Sequence, residues 1–168
     1  ADILEAGRTV QELTKRSATG WWRAGSRPVP STKEKSPMRP SSASPAIITT
    51  NIDESRSFYQ KYFDARLIFD CGWFINLAFA EGLSVQFMEP QEGMTTCNTA
   101  GLTYNFCVED VDAEYKHLIA LGLTPEDSPE DHPWGDRGFT VLDPNGVSLY
   151  IYSDIEPAPE FRSAFLTT

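Results

Sequence analysis

The sequence predicts an α+β fold, in which two βαβββ modules form a curved mixed sheet around a cavity, behind a basic N-terminal extension. The order of one strand, one helix and three strands occurs twice between residues 45 and 153. Aligning Ile52-Asp53 with Val111-Asp112 relates the two copies by an offset of 59 residues. Neither half has enough sheet to cover itself, so the halves should pair and leave a concave face for a small ligand.

The first module, residues 45–90, begins with a short β-type run at Ala46–Thr50. Asn51 or Asp53 can cap the helix that follows, which ends near Phe63 and carries an aromatic face. Glycines then mark the turns between three strand candidates. These candidates are Arg66–Asp70, Trp73–Ala80 and Ser84–Met88.

The second module, residues 101–153, repeats this order. A strand at Leu102–Val108 precedes a helix that starts at Asp110 or Asp112 and stops at Gly122. A short strand is expected at Leu123–Thr124, followed by an acidic loop from Pro125 to Asp136. The last two strands, Gly138–Leu142 and Val147–Tyr152, flank the tight turn Asp143-Pro144-Asn145-Gly146.

The charge separates the N-terminal part from the rest of the chain. Residues 1–45 hold eight basic and four acidic residues, whereas residues 46–168 hold six basic and twenty acidic ones. We therefore divide the chain into a Ser/Pro-rich extension (1–44), a two-module domain (45–155) and a C-terminal tail (156–168). Met38 precedes the first strand and is a candidate natural start, which would make residues 1–37 an upstream extension.

Composition limits the possible partners. The chain has 168 residues and a net charge of −10, which disfavours nucleic acid and anionic membranes. It has no apolar run long enough to span a bilayer and no secretory signal, so we expect a cytoplasmic protein. The three cysteines, Cys71, Cys97 and Cys107, form no CxxC pair and are expected to be reduced and mostly buried. Small molecules, proteins and especially cations remain as possible partners.

Three stretches, IDESRSFYQKYFDARL, FCVEDVDAEY and WGDRGFTVLDPNGVSLYIY, resemble the vicinal oxygen chelate superfamily. That superfamily includes glyoxalase I, extradiol dioxygenases and bleomycin resistance proteins, and the last branch is the most similar. The resemblance covers about Pro45 to Ser153. It implies the duplicated fold and a homodimer. Pro45 stands where the bleomycin-binding branch has the hinge of an exchanged N-terminal arm.

Enzymes of this superfamily hold a divalent metal with four ligands, usually His and Glu. Motif position places these ligands at Ser44, Gln86, Thr103 and Tyr150, none of which is His, Asp or Glu. The resemblance therefore predicts no metal and no cofactor here. One alternative is a metal held within the acidic loop. Its ligands would be Glu130, Asp131, His132 and Asp136.

If the metal-equivalent positions face the cavity, strand alternation brings their neighbours there too. The lining would consist of hydroxyls, amides, phenols and one thioether, which bind more readily than they transfer protons. The lining residues are Gln86, Met88, Thr103, Asn105, Tyr150 and Tyr152.

Trp73 and Trp134 complete the candidate site. In bleomycin resistance proteins, an aromatic residue and a tryptophan at these motif positions, from two subunits, sandwich the flat tail of the drug. The resemblance implies the same role here, and the carboxylates around Trp134 should attract a cation. Arg137 is expected to be a structural ion-pair partner of the acidic loop.

These observations favour a metal-free homodimer that binds and sequesters a planar or cationic compound such as an antibiotic. Two alternatives stay open. One is a metal-dependent lyase, isomerase or dioxygenase with an altered site. The other is a regulatory or interaction module whose basic extension docks on a partner.

Overall fold

The computed structural model describes residues 43–80 and 82–166; the predicted extension therefore lies almost entirely outside the described residues. Ten regular elements and a terminal 3₁₀ turn follow the predicted order. They are β1 (Ala46–Ile48), α1 (Ile52–Phe63), β2 (Arg66–Asp70), β3 (Phe74–Ala80), β4 (Leu83–Met88), β5 (Thr103–Cys107), α2 (Val111–Ala120), β6 (Glu130–His132), β7 (Asp136–Leu142), β8 (Ser148–Asp154) and the 3₁₀ turn Pro159–Ala164.

The strands form two separate four-stranded sheets with the same topology. The N-terminal sheet has the order β1-β4-β3-β2, and the C-terminal sheet has the order β5-β8-β7-β6. In each sheet the first pair is parallel and the other two are antiparallel. This confirms the predicted α+β fold of two βαβββ modules. The two sheets stay open.

The first strand after α2 is not where we predicted it. Leu123 is not in a strand, because its N–H closes the end of α2 on the carbonyl of Leu118 (3.0 Å), next to Gly122 in a left-handed conformation. The strand is instead β6, within the predicted acidic loop. β6 pairs with β7, with Glu130 opposite Gly138 and His132 opposite Asp136.

Local side-chain hydrogen bonds fix the ends of α2 and the turn between β7 and β8. Asp110 caps α2 by accepting a hydrogen bond from the N–H of Ala113 at 3.0 Å. Asp143 accepts from the N–H groups of Asn145 and Val147, and Gly146 supplies the left-handed residue of the turn. Both elements were predicted from these residues.

The core lies between the helices and one face of each sheet. The inward side chains of β3 and β4 and of β7 and β8 are almost fully buried. They are Ile75, Leu77, Val85, Phe87, Phe139, Val141, Leu149 and Ile151. Tyr59 of α1 packs on Phe87 with ring centroids 5.3 Å apart, and Tyr115 of α2 packs on Phe139 at 5.0 Å. We call the opposite face of each sheet its outer face.

The two modules meet through their helix-bearing faces. Phe63 of α1 and Phe79 of β3 each lie 5.1 Å from Phe106 of β5, measured between ring centroids. The hydroxyl of Tyr59 donates to the buried carboxylate of Asp143 in the other module at 3.1 Å. As a result, the outer faces of both sheets are not covered by the partner module.

Candidate functional site

The outer face of the C-terminal sheet groups four of the predicted site residues. Thr103 lies opposite Ser148, and Asn105 lies opposite Tyr150, on the parallel strands β5 and β8. Tyr152 lies opposite Cys107, and its ring stacks on that of Tyr150 with centroids 5.6 Å apart and an interplanar angle of 10°. Strand alternation therefore correctly predicted that these side chains share one face.

Three other predicted residues lie on the N-terminal sheet. Gln86 and Met88 of β4 pair with Asn76 and Phe74 of β3 on the outer face. Trp73, just before β3, is 45% exposed, and its ring centroid lies 6.0 Å from that of Phe74. The predicted site residues thus form two groups, one on each sheet. The modules contact each other through the opposite faces, so this contact does not bring the two groups together.

The cysteines differ from the prediction, because all three are exposed. Cys71 follows β2 and is not part of a strand. Cys107 lies on the outer face because it alternates with the inward Phe106.

Trp134 occupies the turn between β6 and β7, where two contacts fix its ring. Its indole N–H donates to Oδ2 of Asp136 at 2.7 Å. One face of the indole stacks on the imidazole of His132, with centroids 4.4 Å apart and an interplanar angle of 6°. Trp134 is nevertheless 49% exposed, so most of this exposure must come from the other face and the ring edge.

Asp136 connects Trp134 to the tyrosines of the outer face. Its Oδ1 accepts a hydrogen bond from the Tyr150 hydroxyl at 2.8 Å and lies 2.8 Å from Nδ1 of His132. Burial, followed by the Asp136 carboxylate, raises the pKa of the Tyr150 phenol. Tyr150 is therefore a neutral hydrogen-bond donor at physiological pH. We call His132, Trp134, Asp136 and Tyr150 the Trp134 cluster.

Gly138 makes the position of Tyr150 possible. A Cβ atom on Gly138 would overlap the ring and hydroxyl of Tyr150, whose side chain lies across this residue. Gly138 is buried and pairs with Glu130 on one side and Tyr152 on the other. The absence of a side chain here allows the phenol to reach Asp136 and His132.

A cavity of about 190 Å³ adjoins the Trp134 cluster. It is lined by Asp127, Ser128, Glu130, His132, Trp134, Gly138, Thr140 and Tyr150. Asp127 also has a structural role, since it accepts a hydrogen bond from the N–H of Thr140 at 2.6 Å. Arg137 pairs with Asp112 and Asp131 at 2.8–2.9 Å, as expected for a structural ion-pair partner, and lowers the pKa of Asp112.

The C-terminal segment supports the turn that carries Trp134. The N–H of Ile155 donates to the carbonyl of Gly135 at 3.0 Å, and that of Ala158 donates to Pro133 at 2.9 Å. Phe165 also lies against Gly135. Residues on both sides of Trp134 are therefore held by backbone hydrogen bonds.

The donor chemistry at the four superfamily metal positions does not fit a divalent metal. Gln86 offers a neutral amide and Thr103 a hydroxyl, and the Tyr150 hydroxyl donates its hydrogen to Asp136. Ser44 is exposed and precedes β1. Among residues 43–80 and 82–166, no three His, Cys, Asp or Glu side chains converge as a metal site. The alternative metal site in the acidic loop would use Asp131 as a ligand, but this carboxylate forms an ion pair with Arg137.

Sequence reasoning assigned His132 to a loop and missed its place beside Tyr150. The spacing of His132 and Asp136 around a Pro-Trp-Gly turn was the available signal, because the two residues pair across a hairpin. Within the described part of the chain, no helix is long and apolar enough to cross a membrane.

Comparison with known proteins agrees with the observed fold. The chain is 32% identical over 116 residues to an uncharacterised protein of Mycobacterium bovis, and the match covers 61% of this chain and 76% of that protein. A structure described as a glyoxalase/bleomycin resistance protein/dioxygenase from Nocardioides is 16% identical, with a TM-score of 0.59 and 89% and 97% of the two chains covered.

Two further solved structures are similar at the level of the fold. Lactoylglutathione lyase from Agrobacterium tumefaciens is 19% identical, with a TM-score of 0.55 and coverage of 69% and 96%. TioX from Micromonospora sp. ML1 is 19% identical, with a TM-score of 0.57 and coverage of 69% and 100%. The family model of the glyoxalase/bleomycin resistance protein/dioxygenase superfamily matches residues 42–151. The chain belongs to this superfamily.

Proposed function

We propose that this protein is a metal-free binding protein that sequesters a planar or cationic small molecule, such as an antibiotic, on the outer face of the C-terminal sheet. The observation that carries the proposal is the fixed orientation of Trp134. Its N–H is held by Asp136 and one of its faces is covered by His132. A ring held in this way offers its other face to a ligand at little cost in conformational entropy.

Charge around Trp134 supports a cationic ligand. Asp127 and Glu130 line the adjoining cavity, and Asp136 accepts the hydrogen bond of the indole N–H. Arg137, which lies in β7 next to Asp136, is already paired with Asp112 and Asp131. A surface with one sign of charge next to an exposed tryptophan favours a planar cation through both long-range attraction and cation–π contact.

The proposal includes a homodimer. On the outer face of the N-terminal sheet, Phe69 is 41% exposed and Trp73 is 45% exposed, and both lie about 6 Å from Phe74. Exposed aromatic side chains of this kind favour contact with another surface. A second copy that placed its N-terminal sheet over the Trp134 cluster would supply Trp73 as the second face of the ligand site.

Isothermal titration of the full chain with bleomycin and with 9-aminoacridine, a planar cation, tests this function. We expect saturable binding at one ligand per subunit, weakened about fivefold or more by Trp134→Ala through the loss of one stacking face. Ile119→Ala, a substitution of an exposed residue on α2, is the matched control. Unchanged affinity in Trp134→Ala would remove the site assignment, and absence of binding by both compounds would remove the function.

A further inference from the structure

A second cavity lies between the two modules, on the side where their helix-bearing faces meet. Its volume is about 650 Å³, compared with about 190 Å³ for the cavity beside Trp134. Its walls come from the last turn of α1, β3 and the start of β4 in one module, and from β5, α2 and β8 in the other. Small-molecule sites of proteins have volumes of about 300–1,000 Å³ and are common where two packed units meet.

Apolar side chains form the deep part of this cavity. Leu118 and Ile151 line it and are almost completely buried, with 3% and 2% exposure. Four aromatic side chains also line it, and all four are partly buried. They are Tyr62, Phe63, Phe79 and Phe106. Such a lining favours an aromatic ligand, which gains from burial of its apolar surface and from contact with the rings.

The charges at this cavity do not favour a charged ligand. The basic and acidic residues that line it are exposed and have both signs. They are Lys61 and His117, and Asp64 and Glu114. The Lys61 ammonium group already donates to the Tyr62 hydroxyl at 2.9 Å and lies 4.5 Å from the centroid of its ring. Because a charged ligand would meet its own sign as well as the opposite one, and would lose water against the apolar walls, charge selects neither an anion nor a cation.

We propose that this cavity is a second binding site, which takes an uncharged aromatic molecule of two or three rings. Its volume equals that of roughly twenty waters at about 30 Å³ each, which is enough for a ligand of this size. None of its lining residues belongs to the Trp134 cluster or to the cavity beside it. The inference therefore goes beyond the proposed function and does not depend on it.

Two fluorescent probes with the same three-ring skeleton test the class of ligand. N-phenyl-1-naphthylamine is uncharged, and its 8-sulfonate is an anion. We expect the full chain to bind the uncharged probe at one molecule per subunit. The affinity should be about tenfold higher than for the sulfonate, whose charge gains no counterpart in the cavity. Equal affinities, or tighter binding of the sulfonate, would overturn the inference.

Leu83→Asp and Leu142→Asp are a matched pair of variants for the position of the site. Both leucines are exposed, at 58% and 45%, so neither change should prevent folding, but of the two only Leu83 lines the cavity. Leu83→Asp should weaken binding of the uncharged probe about threefold or more, because it adds a carboxylate to an apolar wall. Leu142→Asp should leave the affinity unchanged. Equal effects in both variants, or none in either, would contradict the assignment.

A measurement on the wild-type chain locates the probe without any substitution. In a methyl ¹H–¹³C spectrum, the δ1 methyl resonance of Ile151 should shift as the uncharged probe saturates, whereas that of Ile75, which does not line the cavity, should stay in place. The indole N–H resonance of Trp134 should also stay in place. A shift of Trp134 without one of Ile151 would place the probe on the outer face, and no binding of the uncharged probe would remove the second site. Either result would overturn this inference and leave the proposed function standing.

Discussion

The two modules have the same topology and similar cores, but their outer faces differ. The strand registers make the N-terminal residues Phe74 and Met88 equivalent to Gly138 and Tyr152 of the C-terminal module. At the first of these positions the N-terminal module has the ring of Phe74, whereas the C-terminal module has Gly138, which has no side chain. The side chain of Tyr150 therefore crosses over Gly138 to reach Asp136. The inward residues of both modules are apolar and buried, whereas the chemistry differs on the faces that the core does not constrain.

The largest expected loss of stability concerns the buried aromatic core that both modules contain. Phe87 and Phe139 are both fully buried, one in each module. Replacing either with alanine should lower the free energy of unfolding by about 3–5 kcal/mol, because each change removes a buried ring and leaves a cavity. Urea denaturation measures this. A loss below about 1 kcal/mol in only one of the two variants would show that the cores are not equivalent.

The next largest effect concerns Gly138, where the two modules differ. Gly138→Ala should destabilise the protein by about 1–3 kcal/mol, because the new methyl group overlaps Tyr150. The double variant with Tyr150→Ala is the control. If the overlap is the cause, Gly138→Ala should cost much less in that background than in the wild type. Equal costs in both backgrounds would place the strain elsewhere.

The hydrogen bond between the modules should give a smaller, pH-dependent effect. Burial and the Asp143 carboxylate raise the pKa of Tyr59, so its phenol stays protonated in the folded state above pH 10, while it ionises in the unfolded state. The stability that the protonated Tyr59 phenol gives to the folded state is fully present below about pH 10 and is lost as the pH rises further.

Tyr59→Phe should therefore lower stability at pH 7 by about 1–2 kcal/mol through the lost hydrogen bond. It should also make the free energy of unfolding fall less steeply between pH 10 and 11.5. Urea denaturation at several pH values measures both quantities. The same alkaline slope in wild type and variant would contradict the assignment.

The smallest stability effects compare the two tryptophans. Trp73→Ala should change the free energy of unfolding by at most about 0.5 kcal/mol, since its ring is half exposed and has only Phe74 as an aromatic neighbour in the described chain. Trp134→Ala should cost about 1 kcal/mol, because it loses a stack and a hydrogen bond to Asp136. Thermal denaturation distinguishes them, and the reverse order would contradict the fixed geometry of Trp134.

Most of the fold was predictable because local signals agreed with the tertiary structure. Asp110 before α2, Gly122 after it and the turn at Asp143–Gly146 all act through short-range hydrogen bonds. β6 was not predictable in this way. Its residues, Glu-Asp-His, have low strand propensity, and it exists through pairing with β7.

The positions of the candidate site residues were predictable in part. Alternation correctly grouped Thr103, Asn105, Tyr150 and Tyr152 on one face. Alternation could not show that Trp73 and Trp134 lie beside the outer faces of two different sheets. That arrangement depends on how the modules pack, and this packing joins residues far apart in the sequence. It also could not show that His132 and Asp136 meet Tyr150, because that meeting depends on the open space above Gly138.

The most direct test of the binding proposal is to observe the indole N–H of Trp134 by two-dimensional ¹H–¹⁵N NMR during titration with 9-aminoacridine. Substitution of each tryptophan by phenylalanine assigns the four indole resonances. We predict that the Trp134 resonance shifts and saturates at one ligand per subunit. A Trp134 resonance that stays in place while the ligand is bound would contradict the proposal.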